Sequence, residues 1–226
     1  MSSEASQLET IKFGDETHTI DVSKIPYLSS FVRFERSAHP DSEELTHSPI
    51  RHLDVVLKGI TSGYRQCFRD LPSSLDCFQS VCQTYELFCI DILQGQNIRE
   101  LISDLKAGKY DYDYDYKGDK SKARDAAFRL LYLILLGEFT DENKDAAQVY
   151  NAVLFVVSHS GTFKWRTRTI VRAAYEERFD VSEKQKRGLD KWVKKDDSGV
   201  PLNLEDESDA TTEEDEDIYY GSDFSI

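Results

Sequence analysis

Three sets of residues in this sequence have types and spacings from which chemistry can be built. His39, His47 and His52 lie near one another with Asp41, Glu43 and Glu44. Imidazoles and carboxylates of this kind hold zinc when two or more converge at fixed geometry. The stretch that carries them is polar and broken by Pro40 and Pro49, so solvated loop histidines are the simpler expectation. His159 falls at the end of an expected helix, where a cation is favoured by the partial negative charge of the terminus. A capping role is expected there.

Cys67, Cys77, Cys82 and Cys89 form the second set, spaced C-x9-C-x4-C-x6-C. Zinc sites use pairs two to four residues apart, so reduced core cysteines are expected. Cys82 and Cys89 are seven apart and would share one face of a helix.

The third set is residues 109–120, KYDYDYDYKGDK, in which Tyr110, Tyr112, Tyr114 and Tyr116 alternate with three aspartates. Alternation is the pattern of a half-buried strand, but no partner strand is in sight and a lone strand is marginal. The aspartates lack the Gly-turn-Glu pattern of an EF-hand. Tyrosine sulfation needs a secretory route, and the polar start MSSEASQLET has no signal-peptide pattern. A solvated connector is expected. Gly118-Asp119-Lys120-Ser121 is similar to the end of a P-loop, but the leading glycine and the strand are missing. Neither G-x-S-x-G nor G-x-G-x-x-G occurs. No catalytic residue, metal ligand or cofactor is nominated, and an enzyme is not expected.

Charge is distributed unevenly over the 226 residues. The net charge is −14, yet Asp196 to Ile226 holds twelve acids and no Lys or Arg. The other 195 residues hold 30 acids against 28 bases. The acidity is therefore a tail, and its composition is that of a disordered segment. Directly before it, residues 164–195 carry eleven bases against five acids, with Trp165 and Trp192 interleaved. That is the best case for a nucleic-acid surface, with Lys164, Arg168, Arg172 and Lys191 as its candidates. At 100° per residue, however, Lys164, Arg168 and Arg172 share an arc with Val171, Tyr175 and Phe179. A solvated face with snorkelling stems is the plainer reading. Tethering the acidic tail beside this face gives a high effective concentration, so residues 205–217 are expected to screen it or compete with an acidic partner. The chain ends Ile218-Tyr219-Tyr220-Gly221-Ser222-Asp223-Phe224-Ser225-Ile226, a composition suited to ordering on a partner. Thr212 precedes Glu213, Glu214 and Asp215, an acidic context fit for an acidophilic kinase.

The elements that must position these residues read as follows. Ile11–Phe13 and Thr17–Val22 form a hairpin. A helix starts at Ser23–Pro26 with Leu28, Phe31 and Phe34 on one face. Residues 36–49 are a loop. Leu53, Val56, Leu57 and Ile60 mark a second helix, weakened by Gly59 and Gly63. Ser73 or Ser74 caps a third, with its stripe at Leu75, Phe78, Cys82, Tyr85, Cys89 and Leu93. Another starts at Ile98 and ends near Gly108. The helix Ala123–Phe139 is apolar on all sides and so central. Asp141 caps a helix over 142–159, Thr162–Phe179 forms another, and Ser182 caps the last, which carries Leu189, Trp192 and Val193. The longest apolar run, Leu130–Leu136, is far below a membrane span. A soluble intracellular chain is expected, cytoplasmic or nuclear.

Residues 8–108 resemble a divergent BTB/POZ domain of the kind abundant in fungal proteins. Ile11-Lys12-Phe13-Gly14 to Ile20-Asp21-Val22 is similar to the family's opening "V-x-V-G-G … F-x-V". Lys24-Ile25-Pro26-Tyr27-Leu28-Ser29-Ser30-Phe31 looks like its "L-x-x-x-S-x-x-F" helix start. His52–Ile60 with Gly63-Tyr64 resembles "F-x-x-L-L-x-Y-L-Y-T-G", and Tyr85–Leu93 resembles the late "A-x-F-L-x-I-x-x-L" helix. The family's middle strand has no clear counterpart near Ile50, and its long swapped amino-terminal strand is absent or short. The resemblance implies an α+β fold, a small sheet with helices over 8–108. The Tyr/Asp-rich linker 109–122, a helical module 123–195 and a disordered acidic tail 196–226 follow. It also implies a non-catalytic protein–protein interaction module, self-associating as a homodimer or acting as an adaptor, including to cullin-type ubiquitin ligases. The candidate contacts are Ile20, Leu28 and Phe31, with Tyr219, Tyr220 and Phe224 in the tail. The alternative is a nucleic-acid- or chromatin-associated factor using the basic helices.

Overall fold

The computed structural model describes residues 6–42, 44–108, 119–139 and 142–193. The fold is mixed α+β, a three-stranded sheet with helices. Strands β1 (Leu8–Phe13) and β2 (Glu16–Asp21) pair antiparallel from Leu8↔Asp21 to Phe13↔Glu16. Alternation sends Ile11, Phe13 and Ile20 into the core. A third strand, β3 (Leu45–His47), lies parallel to β1 on its other side, giving the order β2-β1-β3. The sequence reads this stretch as loop, because three residues are too few to show a period of two. Its pairing partners, Ile11 and Phe13, are more than thirty residues away.

Asp21 closes the hairpin. Ser23 Oγ donates to its carboxylate at 2.6 Å and the Gln7 amide at 3.1 Å. The serine bond first, then the amide, holds the Asp21 carboxyl at about 2. After a short turn at Val22–Lys24, helix α1 (Pro26–Ala38) begins with proline at its first position, where no amide is needed. Leu28 and Val32 are its buried residues. Phe34 does not share their face. Six residues at about 100° each place it roughly 120° from Leu28, and it is 66% exposed.

Helices α2 (Leu53–Ser62), α3 (Gln66–Asp70) and α4 (Leu75–Leu87) follow. Gly59 looks like a weak point in α2 but is a packing requirement. A Cβ there would lie 2.1 Å from the Tyr85 hydroxyl, which donates to the Val56 carbonyl at 3.2 Å. Ser74 occupies the N-cap of α4 without a side-chain cap bond. The stripe expected to run on to Cys89 and Leu93 stops at Leu87. Cys89 adopts a left-handed backbone (φ 56°). Its amide donates to Glu86 O at 2.9 Å and that of Ile90 to Tyr85 O at 3.0 Å. This pair of bonds is a Schellman termination, usually announced by glycine.

Helix α5 (Ile98–Lys106) opens with a reciprocal cap between Asn97 and Glu100. Helix α6 (Lys120–Leu136) is capped by Asp119, whose carboxylate accepts from the Lys122 amide. The alternating tyrosines and aspartates before it, residues 109–118, lie outside the described residues, as do the expected cap Asp141 and the acidic tail. Helices α7 (Glu142–Ser158), α8 (Trp165–Arg178) and α9 (Glu183–Val193) complete the array. Ser182 caps α9 as expected, its hydroxyl accepting from the Gln185 amide while Gln185 accepts from the Ser182 amide.

Helix α6 is central, packed on α4, α5, α7 and α8. Buried residues from the sheet to Leu189 form one hydrophobic cluster. Phe128 of α6 joins the two halves, with ring centroids 5.7 Å from Tyr64, 5.9 Å from Phe68 and 5.9 Å from Tyr85.

Candidate protein-interaction site

The histidines do not converge. His39 is exposed at the end of α1, and His52 begins α2 in a left-handed conformation. Burial, with Arg51 beside it, depresses the basicity of His52 and favours the neutral ring. His47 is not a solvated loop residue. Its Nε2 meets the Tyr27 hydroxyl at 2.8 Å and its Nδ1 meets the Ser48 carbonyl at 2.7 Å. Phe13 and Phe31 stand 5.2 and 5.0 Å from it, centroid to centroid. The imidazole therefore fastens β3 to α1 and β1. Among the described residues no group of three or more His, Cys, Asp or Glu is placed to hold a metal.

Three of the four cysteines are buried and free, while Cys89 is exposed beyond the end of α4. Burial pushes the Cys67 thiol up to about 12, against the Tyr85 hydroxyl 3.5 Å away that favours the thiolate. Burial raises Cys82 and Tyr85 as well. Protonated, buried thiols are poor nucleophiles.

The candidate contacts on the hairpin and first helix separate on inspection. Ile20 and Leu28 lie in the core, so their side chains offer nothing to a partner. Phe31 is half-buried against His47. The exposed apolar side chains of this unit are Leu8 on β1 and Phe34 on α1, each 66% exposed. Among the described residues one other large hydrophobic is exposed, Leu87 at the end of α4. The sequence contains both side chains, but their orientation depends on strand register and helix phase. Arg36 ties α1 to the sheet by an ion pair to Glu9 at 2.5 Å. The tail candidates Tyr219, Tyr220 and Phe224 lie outside the described residues.

The basic helices hold the second surface, and their arginines are committed to the fold. Arg166 donates to the carbonyls of Phe68 and Arg69 and to Ser73 Oγ, at 3.2, 2.8 and 2.8 Å. Arg178 donates to the carbonyls of Ile134, Leu135 and Gly137, satisfying the open end of α6. Arg172 pairs with Glu176 and Asp190, each at 2.7 Å. Arg168 is buried, donates to the Val157 carbonyl and lies 5.5 Å over the Trp165 ring. The face stays solvated at Arg178 and is buried at Arg168, and in each of these arginines the head group also binds protein. Lys164 and Lys191 remain exposed. Sequence alone gives no sign of these long-range bonds, because the carbonyls they reach are up to 98 residues away.

One concavity accompanies this face. Trp165, Arg168, Thr169, Arg172, Ala173 and Glu176 fall on a single stripe of α8 and line a groove of ≈ 210 Å³ with Val157 of α7.

No protein-family model, curated protein or solved structure matches this chain. The functional reading therefore rests on the geometry. Among the described residues no helix is long and apolar enough to cross a membrane.

Proposed function

We propose that this chain is a non-catalytic protein–protein interaction module of BTB/POZ type, which self-associates through the surface formed by the hairpin and α1. Cullin-type ligases are a further partner class under this reading. The carrying observation is the pair Leu8 and Phe34, large apolar side chains left two-thirds in water on that unit. Burying such side chains against a partner gains about 1.5–3 kcal/mol each. The parallel strand β3, between the loop and α2, supplies a counterpart to the family's middle strand. Besides the absent or short swapped strand, the run Tyr85–Leu93 departs from the family pattern in being helical only to Leu87.

The nucleic-acid alternative has less to draw on. Arg166, Arg172 and Arg178 are engaged with carbonyls and carboxylates, and a phosphate would have to displace those partners. Salt separates the two readings. Apolar self-association persists at high salt, whereas phosphate binding falls steeply with it. Sedimentation of the full chain, with DNA or RNA added in a parallel series, tests both. A monomer at all concentrations together with salt-sensitive nucleic-acid binding would reverse the choice.

A further inference from the structure

We propose that the groove along α8 is the docking site of the chain's own carboxy-terminal aromatic segment, Ile218–Phe224. The acids of 205–217 then lie against the exposed bases of α8 and α9. This inference does not depend on the BTB/POZ reading.

Three observations select this occupant. The first is the shape and lining of the groove. Val157, Trp165 and Ala173 give the groove its apolar lining, and Arg168, Thr169, Arg172 and Glu176 complete it. An aromatic segment flanked by carboxylates suits such a surface, since Tyr and Phe rings fill apolar concavities and stack on guanidinium planes. The tail ends in that composition: Tyr219, Tyr220 and Phe224 follow Glu213-Glu214-Asp215-Glu216-Asp217.

The second is charge. Residues 164–193 carry nine bases against five acids, and Lys164, Lys184, Lys186 and Arg187 are exposed. The last 31 residues carry twelve acids and no base. Opposite charges this dense on one chain attract at short range.

The third is reach. Helix α9 ends at Val193, and its Asp190 already touches Arg172 on the groove wall. Twenty-four residues separate Val193 from Ile218. A chain of that length spans roughly 25–30 Å as a coil and more when extended. Tethering then gives the segment an effective concentration of order millimolar, so weak contacts suffice to hold it. Docked, the tail covers the groove, and any acidic or aromatic partner must displace it.

Site-specific photocrosslinking in the full chain tests this directly. The photoreactive residue is introduced as Phe224→p-benzoylphenylalanine, and a mixture of isotopically light and heavy protein is irradiated. The expected result is crosslinks within one chain to the stretch 165–176, reduced at high salt. The exposed-site variant Thr169→Glu repels the acidic tail and is expected to remove them. Ala173→Trp, which fills the groove, is expected to do the same. Crosslinks scattered over other elements, only between light and heavy copies, or absent altogether would overturn the proposal. So would crosslinks to 165–176 that survive both variants.

Discussion

Helices α1 and α8 are of nearly equal length, 13 and 14 residues, and both carry arginines and aromatics. They use them in opposite ways. In α8 the arginines bind other parts of the protein. Arg166 and Arg178 satisfy backbone carbonyls of other elements, and Arg172 bridges to α9. In α1 an aromatic, Phe34, turns outward and stays in water. A basic composition therefore marks the region that holds the fold together, and a polar-looking helix carries the apolar surface. Charge-assisted bonds to carbonyls are costly to break, whereas an exposed phenylalanine contributes little to folding and is a side-chain type enriched at interfaces.

The largest effect is expected where the two regions meet. Phe128→Ala removes the ring that touches Tyr64, Phe68 and Tyr85 and should cost about 3–5 kcal/mol in denaturant unfolding. A cost below 1 kcal/mol would mean the halves are held together by something other than this seam. Next comes Arg178→Ala, which strips three carbonyls at the end of α6 of their donor. A loss of about 1–2 kcal/mol is expected. Lysine at 178 should recover part of it, because one ammonium cannot reproduce the planar fork.

Acid should weaken the packing of α5 on α6 in a defined window. Asp104 accepts from Gln96 at 2.9 Å and pairs with Lys122 at 2.8 Å and Arg129 at 3.8 Å. Burial opposes its ionisation, but the Lys122 bond, then those of Gln96 and Arg129, leave its carboxyl below the ordinary value. A depressed folded-state value adds stability above the unfolded value of about 3.9 and loses it as pH falls through the folded value. Asp104→Asn should therefore lower stability at neutral pH and flatten the loss below about pH 4. A variant whose acid limb matches the parent would remove Asp104 from that role. The smallest folding effect is expected for Phe34→Ser, within about 0.5 kcal/mol of the parent. Its larger effect is expected on association.

Periodicity made the hairpin, the central position of α6 and the cap at Ser182 legible, because each signal lies within a few residues of its consequence. Three features escaped for a common reason. Strand β3 exists through pairing with Ile11 and Phe13. Helix α4 ends at a left-handed Cys89 where glycine is the usual marker. Ser73 receives Arg166 instead of capping a helix. Each is decided by a partner distant in sequence or by backbone geometry that carries no residue signature. The candidate site was legible in part. The sequence singles out the hairpin and α1, but through Ile20 and Leu28, which are core; reading Phe34 on one face with Leu28 and Phe31 misplaces it by about a third of a turn from Leu28.

The most direct measurement is sedimentation equilibrium of the full chain and of Phe34→Ser at low and high salt. The expected result is reversible self-association of the parent that persists at high salt and is lost in the variant, whose unfolding free energy is unchanged. A parent that stays monomeric at tens of micromolar, or a variant that associates as well as the parent, would contradict it.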